Sequence, residues 1–243
     1  MTFNIAFIGK SGSGKTTLAR GFIKLLKEKF KNSSFLIVDC DLTFELSNSF
    51  GILPKNTIYG VKSGKHEYKT GIFDGMSKQE YIEWAIEDII LSADENTDII
   101  ASWLVTPKDC RCPATKFTRD AILKLTERYD FVIYDCEYDL KYLNSLVDCN
   151  IDVAFIVTLP DKNNIALASR IAQASNKYVS NGQMGIILNR MDKYNQSASE
   201  ILNSLELDLI GCIKNFDEVN YDNIKDEFDK FYSRINLPQN GVM

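Results

Sequence analysis

Nine consecutive residues near the N-terminus have the types and spacing needed to bind the phosphates of ATP or ADP. They read GKSGSGKTT and contain the pattern Gly-x-x-x-x-Gly-Lys-Thr. In such a loop the glycines let backbone N–H groups turn toward a phosphate, and the following helix adds the positive end of its dipole. The second lysine reaches the β- and γ-phosphates, and the hydroxyl after it binds Mg²⁺. We therefore assign nucleotide binding to the whole loop, with Lys15 catalytic and Thr16 a Mg²⁺ ligand: Gly9, Lys10, Ser11, Gly12, Ser13, Gly14, Lys15, Thr16 and Thr17.

Polar residues follow three later apolar runs, at positions where a ligand site is expected. The carboxyl ends of parallel strands meet at one edge of a sheet, and ligands bind there. An aspartate directly after a hydrophobic strand is typical of a residue that holds the metal ion through water. Helix capping, solvated carboxylates and simple turn chemistry are the alternatives. The residues concerned are Asp39, Asp41, Asp135, Asn189 and Arg190, with Asp135 as the metal-holding carboxylate.

A Cys-x-Cys sequence, formed by Cys110 and Cys112, is the second set of residues that could do chemistry. Two thiolates can share one metal ion, but tetrahedral Zn²⁺ or square-planar Ni²⁺ needs four ligands. A symmetric dimer supplies four by bringing two such pairs together on its two-fold axis. Arg111 would help to keep the thiolates deprotonated. Two incidental cysteines are the alternative, because the pattern alone is a weak signal.

Short apolar runs alternate with amphipathic helical patterns along the chain and predict the elements that position these residues. Such alternation predicts an α/β fold with a doubly wound, mostly parallel sheet of about seven to eight strands, flanked by helices on both faces. We expect a single domain over 1–243, with an irregular segment around 51–75. The predicted strands are 3–8, 35–38, 99–104, 131–134, 153–157, 185–188 and 209–213. The predicted helices are 16–30, 78–91, 118–128, 163–178, 199–205 and 222–231.

Composition excludes some partners. The net charge is −5, which argues against nucleic acid or an anionic membrane as the main partner. The chain contains no run of about 18 apolar residues that could span a bilayer. Its N-terminus lacks the basic region of a signal peptide, so we expect a cytoplasmic protein.

Lys10 precedes Lys15 by five positions, and this loop resembles the deviant Walker A loop of the ATPases that include MinD, ParA and the nitrogenase iron protein. In that family the early lysine crosses the interface of a homodimer and contacts the partner's nucleotide, which gives Lys10 a catalytic role. The resemblance also implies that Asp41 orients the attacking water, that Asp39 lies near Mg²⁺ and that Asn189 contacts adenine.

Over nearly its whole length the chain also resembles the CO dehydrogenase maturation ATPases, the CooC-type nickel-insertion proteins. The segments that carry this resemblance are VDCDLTFELSNSFGI, GMSKQEYIEWAIEDII, the CRCP sequence, RYDFVIYDCE and ILNRMDK. The resemblance implies that Cys110 and Cys112 hold Ni²⁺ or Zn²⁺ between two subunits. It implies ATP binding and hydrolysis that switch the dimer, with a CO dehydrogenase-like metalloenzyme as the client.

Two residues depart from the family pattern. In the family, the aspartate that matches Asp135 is called the Walker B aspartate, and a glycine usually follows it three or four positions on. Tyr138 and Asp139 stand at those positions here. This difference indicates slow hydrolysis but does not affect nucleotide binding. One alternative is therefore a metal- or cluster-binding partner protein that uses nucleotide as a switch with little turnover. The other alternative is a positioning ATPase of the MinD or ParA type.

Overall fold

A computed structural model describes residues 2–63, 75–102, 113–137, 140, 151–179, 182–191, 202, 208–215 and 221–237. The strands are β1 (Phe3–Ile8), β2 (Phe35–Cys40), β3 (Leu91–Asp94), β4 (Thr97–Ala101), β5 (Phe131–Cys136), β6 (Val153–Thr158), β7 (Gln183–Met191) and β8 (Leu209–Lys214). The helices are α1 (Lys15–Lys29), α2 (Glu45–Ser49), α3 (Ile58–Ser63), α4 (Lys78–Asp88), α5 (Pro113–Thr126), α6 (Lys162–Ser175) and α7 (Tyr221–Arg234), and a 3₁₀ turn at Asn176–Tyr178 follows α6.

The eight strands of the described ranges form one sheet in the order β3-β4-β2-β5-β1-β6-β7-β8. Seven of them run parallel, and β3 alone pairs antiparallel with β4 at one edge. Strands β2, β5 and β6 are buried at every position, as the continuous apolar runs of the sequence predict. The predicted α/β fold with a mostly parallel sheet is therefore confirmed.

The two faces of the sheet pack into two separate apolar clusters. On one face, α1 and α7 cover side chains such as Phe7 and Ile37. On the other face, α3, α4, α5 and α6 cover side chains such as Val38 and Tyr134. Because neighbouring residues of a strand point to opposite faces, each central strand contributes to both clusters. At about 0.8 kcal/mol for each buried CH₂ group, this burial on both faces is the main stabilising term.

Helix α1 is the element that follows the phosphate loop, and it is anchored along a full apolar stripe. Leu18, Phe22, Leu25 and Leu26 are almost fully buried, as the helical spacing of the sequence predicts. The Phe22 ring packs edge to face against two other rings, with a centroid distance of 5.2 Å to Phe155 and 6.0 Å to Phe228. These contacts hold the first turn of α1 at a constant position relative to the sheet.

Helix α4 ends earlier than its sequence pattern predicts. Its start has a capping box, in which Ser77 Oγ accepts from the Glu80 N–H and the Glu80 carboxylate accepts from the Ser77 N–H. The helix ends at Asp88, and Leu91 begins strand β3 instead of closing the helix. The apolar residues at 89–91 continue the helical period, and a strand of four residues is too short to display its own alternation.

Other predicted elements differ from the structure in extent. Helices α2 and α3 are two short helices that the sequence pattern did not reveal, and α3 lies within the segment predicted to be irregular. Strand β7 is longer than predicted and includes the residues expected to follow it. Of the predicted helix 199–205, only Leu202 is described, and it is helical. No helix within the described ranges is long and apolar enough to cross a membrane.

Gly21 tests the packing of α1 against α7. A Cβ atom at this position would lie 2.4 Å from Cε2 of Phe228, which is fully buried. Gly21→Ala should therefore lower the free energy of unfolding by about 1–3 kcal/mol through overpacking, despite the better helix propensity of alanine. Urea denaturation measures the change.

The matched control is Gly60→Ala in α3. There the nearest atom to an added Cβ is Thr57 Oγ1 at 3.4 Å, so alanine has room. We expect this substitution to be neutral or to stabilise by up to about 1 kcal/mol. Equal effects of the two substitutions would mean that the α1–α7 contact is looser than the structure shows.

Candidate nucleotide-binding site

The phosphate loop connects the end of β1 to the start of α1, at the carboxyl edge of the sheet. Gly14 is the N-cap of α1 and has φ 93°, and Gly9 has φ 139°. A Cβ at Gly9 would lie 2.2 Å from the Val157 carbonyl oxygen, and a Cβ at Gly14 would lie 2.3 Å from Nδ2 of Asn189. Both positions therefore require glycine because of backbone conformation and close packing. The loop is pressed against the ends of β6 and β7.

Two polar groups of the loop are buried at the N-terminus of α1. The Lys15 side chain is 5% exposed, and its Nζ donates a hydrogen bond of 3.2 Å to the Lys10 carbonyl oxygen. Ser13 is 2% exposed, and its Oγ has no hydrogen-bond partner among the described residues. A buried cation, an unpaired hydroxyl and the positive end of a helix dipole together match the chemistry of a phosphate group.

Thr16 and Asp135 meet beside the loop. Thr16 Oγ1 donates a hydrogen bond of 2.6 Å to Asp135 Oδ2, while Asp135 Oδ1 is buried without a hydrogen-bond partner within the described part of the chain. Burial raises the pKa of Asp135 to about 7, and the nearby Asp39 also raises it, while Thr16 and the Lys15 ammonium lower it. A hydroxyl and a carboxylate are the oxygen donors that Mg²⁺ uses. These two residues, predicted to serve the same ion, are therefore brought together.

Asp39 lies next to Asp135, because the two are register partners on β2 and β5. Its Oδ2 accepts hydrogen bonds from the Ser47 hydroxyl at 2.6 Å and from the Ser47 N–H at 2.8 Å. Burial raises the pKa of Asp39, which is fully buried, and the Ser47 hydrogen bonds oppose that shift. Asp39 therefore ties α2 to the site. Sequence reasoning missed Ser47, since a serine inside a short helix gives no signal of its own.

Asp41 stands outside this buried group. It is half-buried, and its Oδ1 accepts hydrogen bonds from the N–H and the hydroxyl of Thr43 at 2.8 and 2.6 Å. Such bonds to a residue two positions on make an Asx turn. The Asp41 side chain thus shapes the loop between β2 and α2. The role predicted for it in orienting water stays a prediction.

Lys10 is exposed and extends away from the buried part of the loop. Its Nζ donates a hydrogen bond of 3.2 Å to Oδ1 of Asn164 in the first turn of α6. Asn164 is held in turn by the helix N-cap Asp161, which accepts its backbone N–H at 3.1 Å and also its side-chain amide. The two lysines of the loop therefore have different surroundings, one buried and one at the surface. Asn164 is a further residue that the sequence did not indicate.

Asn189, predicted to contact adenine, and Arg190, predicted to bind the nucleotide, lie near the end of β7 and have different surroundings. Asn189 is 6% exposed, and its Nδ2 donates a hydrogen bond of 2.8 Å to the Ser13 carbonyl oxygen. Its Oδ1 accepts from the Arg190 N–H at 2.9 Å. Arg190 is exposed and has a positive φ of 58°. Asn189 thus braces the phosphate loop, and its predicted contact with adenine stays a prediction.

The outer loop residues complete the site. Ser11, Gly12 and Thr17 are exposed and line its open side. Cys110, Cys112, Tyr138 and Asp139 lie outside the described residues. The segment that contains Cys110 and Cys112 follows Ser102, whose N–H donates a hydrogen bond of 2.8 Å to the Asp39 carbonyl oxygen. Within the described ranges no group of three or more His, Cys, Asp or Glu side chains could hold a metal ion.

A phosphate loop between a parallel strand and a helix, with aspartates at the ends of neighbouring strands, defines a nucleotide-binding protein of the phosphate-loop class. The chain matches the CobQ/CobB/MinD/ParA nucleotide binding domain over residues 5–231, and it belongs to that family. The broader of the two resemblances in the sequence is therefore confirmed. The narrower one, to nickel-insertion ATPases, stays a prediction.

Individual relatives agree with this assignment. The chain is 27% identical over 242 residues to an uncharacterised ATP-binding protein of Methanocaldococcus jannaschii, covering 98% of this chain and 92% of the relative. It is similar to a putative plasmid partition protein from Borrelia burgdorferi bound to AMPPNP, with 21% identity, a TM-score of 0.64 and coverage of 96% and 97% of the two chains. It is also similar to MinD of Pyrococcus horikoshii complexed with Mg-ADP, with 23% identity, a TM-score of 0.59 and coverage of 95% and 86%. At these identities the two structures show a shared fold.

Asn189→Ala tests the bracing of the phosphate loop. The substitution removes the buried hydrogen bond to the Ser13 carbonyl oxygen, so we expect the free energy of unfolding to fall by about 1–3 kcal/mol. Arg190→Ala is the control, because it leaves the positive φ unchanged and alters only an exposed side chain; its effect should stay within about 0.5 kcal/mol. Chemical denaturation compares the two. A smaller loss for Asn189→Ala than for the control would contradict the bracing role.

Proposed function

We propose that the protein is an ATP-dependent switch that dimerises with nucleotide bound, hydrolyses ATP slowly and assists the insertion of nickel into a metalloenzyme such as a CO dehydrogenase. The observation that carries the nucleotide part is the arrangement at the phosphate loop. Lys15 and the unpaired Ser13 hydroxyl are buried at the start of α1, and the Thr16–Asp135 hydrogen bond lies beside them.

The residues around the phosphate loop have defined parts in this proposal. The backbone and Lys15 would hold the β- and γ-phosphates, and Thr16 and, through water, Asp135 would hold Mg²⁺, which would supply positive charge to neutralise the phosphates. Asp39 keeps α2 in place beside that site through Ser47. Asp41 is assigned to the attacking water. A single domain over 1–243 carries the whole site.

The position of Lys10 supports the dimeric part of the proposal. Its ammonium lies at the surface and is held by Asn164 rather than by the buried site of its own chain. A hydrogen bond of an exposed lysine is worth only about 1 kcal/mol or less, so a partner subunit's nucleotide competes with it easily. We therefore assign Lys10 to the nucleotide of a second copy of this chain.

Nickel is the cargo in this proposal, and Cys110 and Cys112 are the residues assigned to it. The support is the resemblance to the maturation ATPases, together with the hydrogen bond from Ser102 to Asp39. That bond joins the nucleotide site to the start of the segment that contains both cysteines. A change at Asp39 on nucleotide binding would therefore act directly on the backbone that leads to the metal-binding pair.

A positioning ATPase of the MinD or ParA type is the second candidate. The overall likeness to a plasmid partition protein and to MinD favours it. This candidate predicts a macromolecular partner and no stoichiometric metal at Cys110 and Cys112. A titration with metal ions therefore separates the two proposals.

The two lysines of the loop predict different defects. Lys15→Ala should lower the affinity for Mg-AMPPNP about 100-fold, because it removes a charged hydrogen-bond donor to the phosphates. Lys10→Ala should leave that affinity within about threefold and abolish the dimer formed with Mg-AMPPNP. Isothermal titration calorimetry measures the affinity, and light scattering measures the mass. The reverse order of defects would show that Lys10 acts within its own chain.

The metal assignment is tested by anaerobic titration of the reduced protein with Ni²⁺ and Zn²⁺, with mass by light scattering at each step. We expect one metal ion per two chains, dimerisation on binding, and loss of both in Cys112→Ser. Cys212→Ser is the control and should bind as the unaltered chain does. Binding that survives Cys112→Ser, or no binding, would leave a nucleotide switch without metal cargo.

A further inference from the structure

Two free cysteines, Cys40 and Cys136, lie side by side at the centre of the sheet. They are the last residues of β2 and β5, and they are register partners on these adjacent parallel strands. Neighbouring strands are about 4.8 Å apart, which is within the Cα separation of about 4.4–6.8 Å that disulfides span. Both side chains are 0–1% exposed, and the Cys40 thiol donates a weak hydrogen bond of 3.7 Å to the Val38 carbonyl oxygen.

The pair belongs to neither part of the proposed function. Cys40 and Cys136 pack with Val38, Tyr134 and Leu140 on the face of the sheet opposite α1. Because neighbouring residues of a strand point to opposite faces, their side chains point away from the face on which Asp135 meets Thr16. Metal binding is also unsuited to this position, because no group of three or more potential ligands occurs in the described ranges and the surroundings are apolar.

We propose that Cys40 and Cys136 form a reversible intramolecular disulfide, and that this modification lowers the affinity of the protein for magnesium nucleotide. The disulfide is neutral and apolar, so it suits the cluster in which the sulfurs lie. One sulfur attacks the outer oxygen of a hydroperoxide, which breaks the O–O bond, releases an alcohol or water and leaves a sulfenic acid. The second thiol then attacks that sulfur, which forms the S–S bond and releases the hydroxyl as water. In total two thiols and one hydroperoxide give one disulfide, one alcohol or water, and one further water. A dithiol reductant reverses the change by exchange.

Access to the sulfurs comes from their place at the strand ends. Terminal residues of strands open locally at lower free energy than central ones, and a small neutral peroxide can enter through such an opening. Cys40 is followed directly by the turn at Asp41, and Glu137 after Cys136 is already half-buried. The neighbouring Cys136 thiol and burial raise the pKa of Cys40 well above its usual range, so the reaction is slow compared with that of an exposed thiol. Once Cys40 is oxidised, its register partner Cys136 is the adjacent thiol.

The effect on nucleotide follows from the neighbours of the pair and rests on the proposed function. Asp39 and Asp135 directly precede the two cysteines and are themselves register partners. A covalent S–S bond draws the two strand ends together, because bonded sulfurs lie closer than two free thiols can approach. The carboxylates at the Mg²⁺ position then move, and catalytic or binding groups displaced by about 1 Å lose much of their effect.

The modification is tested first on the unaltered chain. Protein treated with hydrogen peroxide is blocked with iodoacetamide, digested with trypsin and measured by mass spectrometry. Peptides 32–55 and 129–141 each contain one cysteine, so the disulfide appears as their cross-linked sum, lighter by two hydrogen atoms. We expect this species, its loss on treatment with dithiothreitol, and its persistence in Cys212→Ser. Its absence after peroxide treatment, or Cys40 joined to any other cysteine, would overturn the proposal.

The functional effect is measured on a variant that retains only this pair, with Cys110, Cys112, Cys149 and Cys212 changed to serine. Oxidation should weaken Mg-ADP binding about tenfold, and dithiothreitol should restore it. Cys136→Ala in the same background should bind equally with and without peroxide. An unchanged affinity in the cross-linked protein would refute the regulatory effect. Absence of Mg-ADP binding in the reduced unaltered chain would instead contradict the proposed function, and the mapped cross-link would still stand on its own.

Discussion

The register of three adjacent parallel strands is the constraint on which the rest of the site depends. β5 lies between β2 and β1, and the pairings Asp39↔Asp135 and Phe7↔Asp135 bring both aspartates to the same edge as the phosphate loop. A shift of one residue would turn the aspartates toward the apolar face of α4 and α5 and move the cysteines to the nucleotide side. The burial of both faces makes such a shift very costly. Packing of the core therefore determines the geometry of the site.

The same register places two acidic side chains close together in the protein interior. Two buried carboxylates lie next to each other, and burial raises the pKa of both Asp39 and Asp135. Lys15 is the nearby cation that offsets this charge, and its ammonium would move to a phosphate when nucleotide binds. A divalent cation between Thr16 and Asp135 would then replace the lost compensation. Binding of nucleotide and binding of Mg²⁺ would therefore favour each other. The nucleotide would draw Lys15 away from the carboxylates, and Mg²⁺ would replace the positive charge that they lose.

The sequence was sufficient to predict the parts of the molecule whose physics is local. The glycines and lysines of the loop, the helix after it and the buried parallel strands all have patterns within about ten residues. The residues that brace the site are different. Asn164 and Asn189 act through contacts that join distant parts of the chain, and no spacing indicates them. Ser47 lies close to Asp39 in sequence, but its bond depends on the fold of the turn between them, which no pattern shows. The short strand β3 was hidden for another reason, because the apolar residues at 89–91 continue the helical period before it.

Asp39 and its chain neighbour Cys40 take part in contacts with three other parts of the chain. The Asp39 carboxylate accepts hydrogen bonds from Ser47 of α2, its carbonyl oxygen accepts from the Ser102 N–H, and Cys40 is the register partner of Cys136. A displacement of Asp39 cannot be confined to the nucleotide side, because the backbone carries it to the opposite face of the sheet and to the start of the segment after β4. Coupling between distant sites needs an element that two ligands both bias. In this chain the carboxyl end of β2 joins Asp135 of the proposed Mg²⁺ site, the cysteine pair and Ser102, which precedes the segment that contains Cys110 and Cys112.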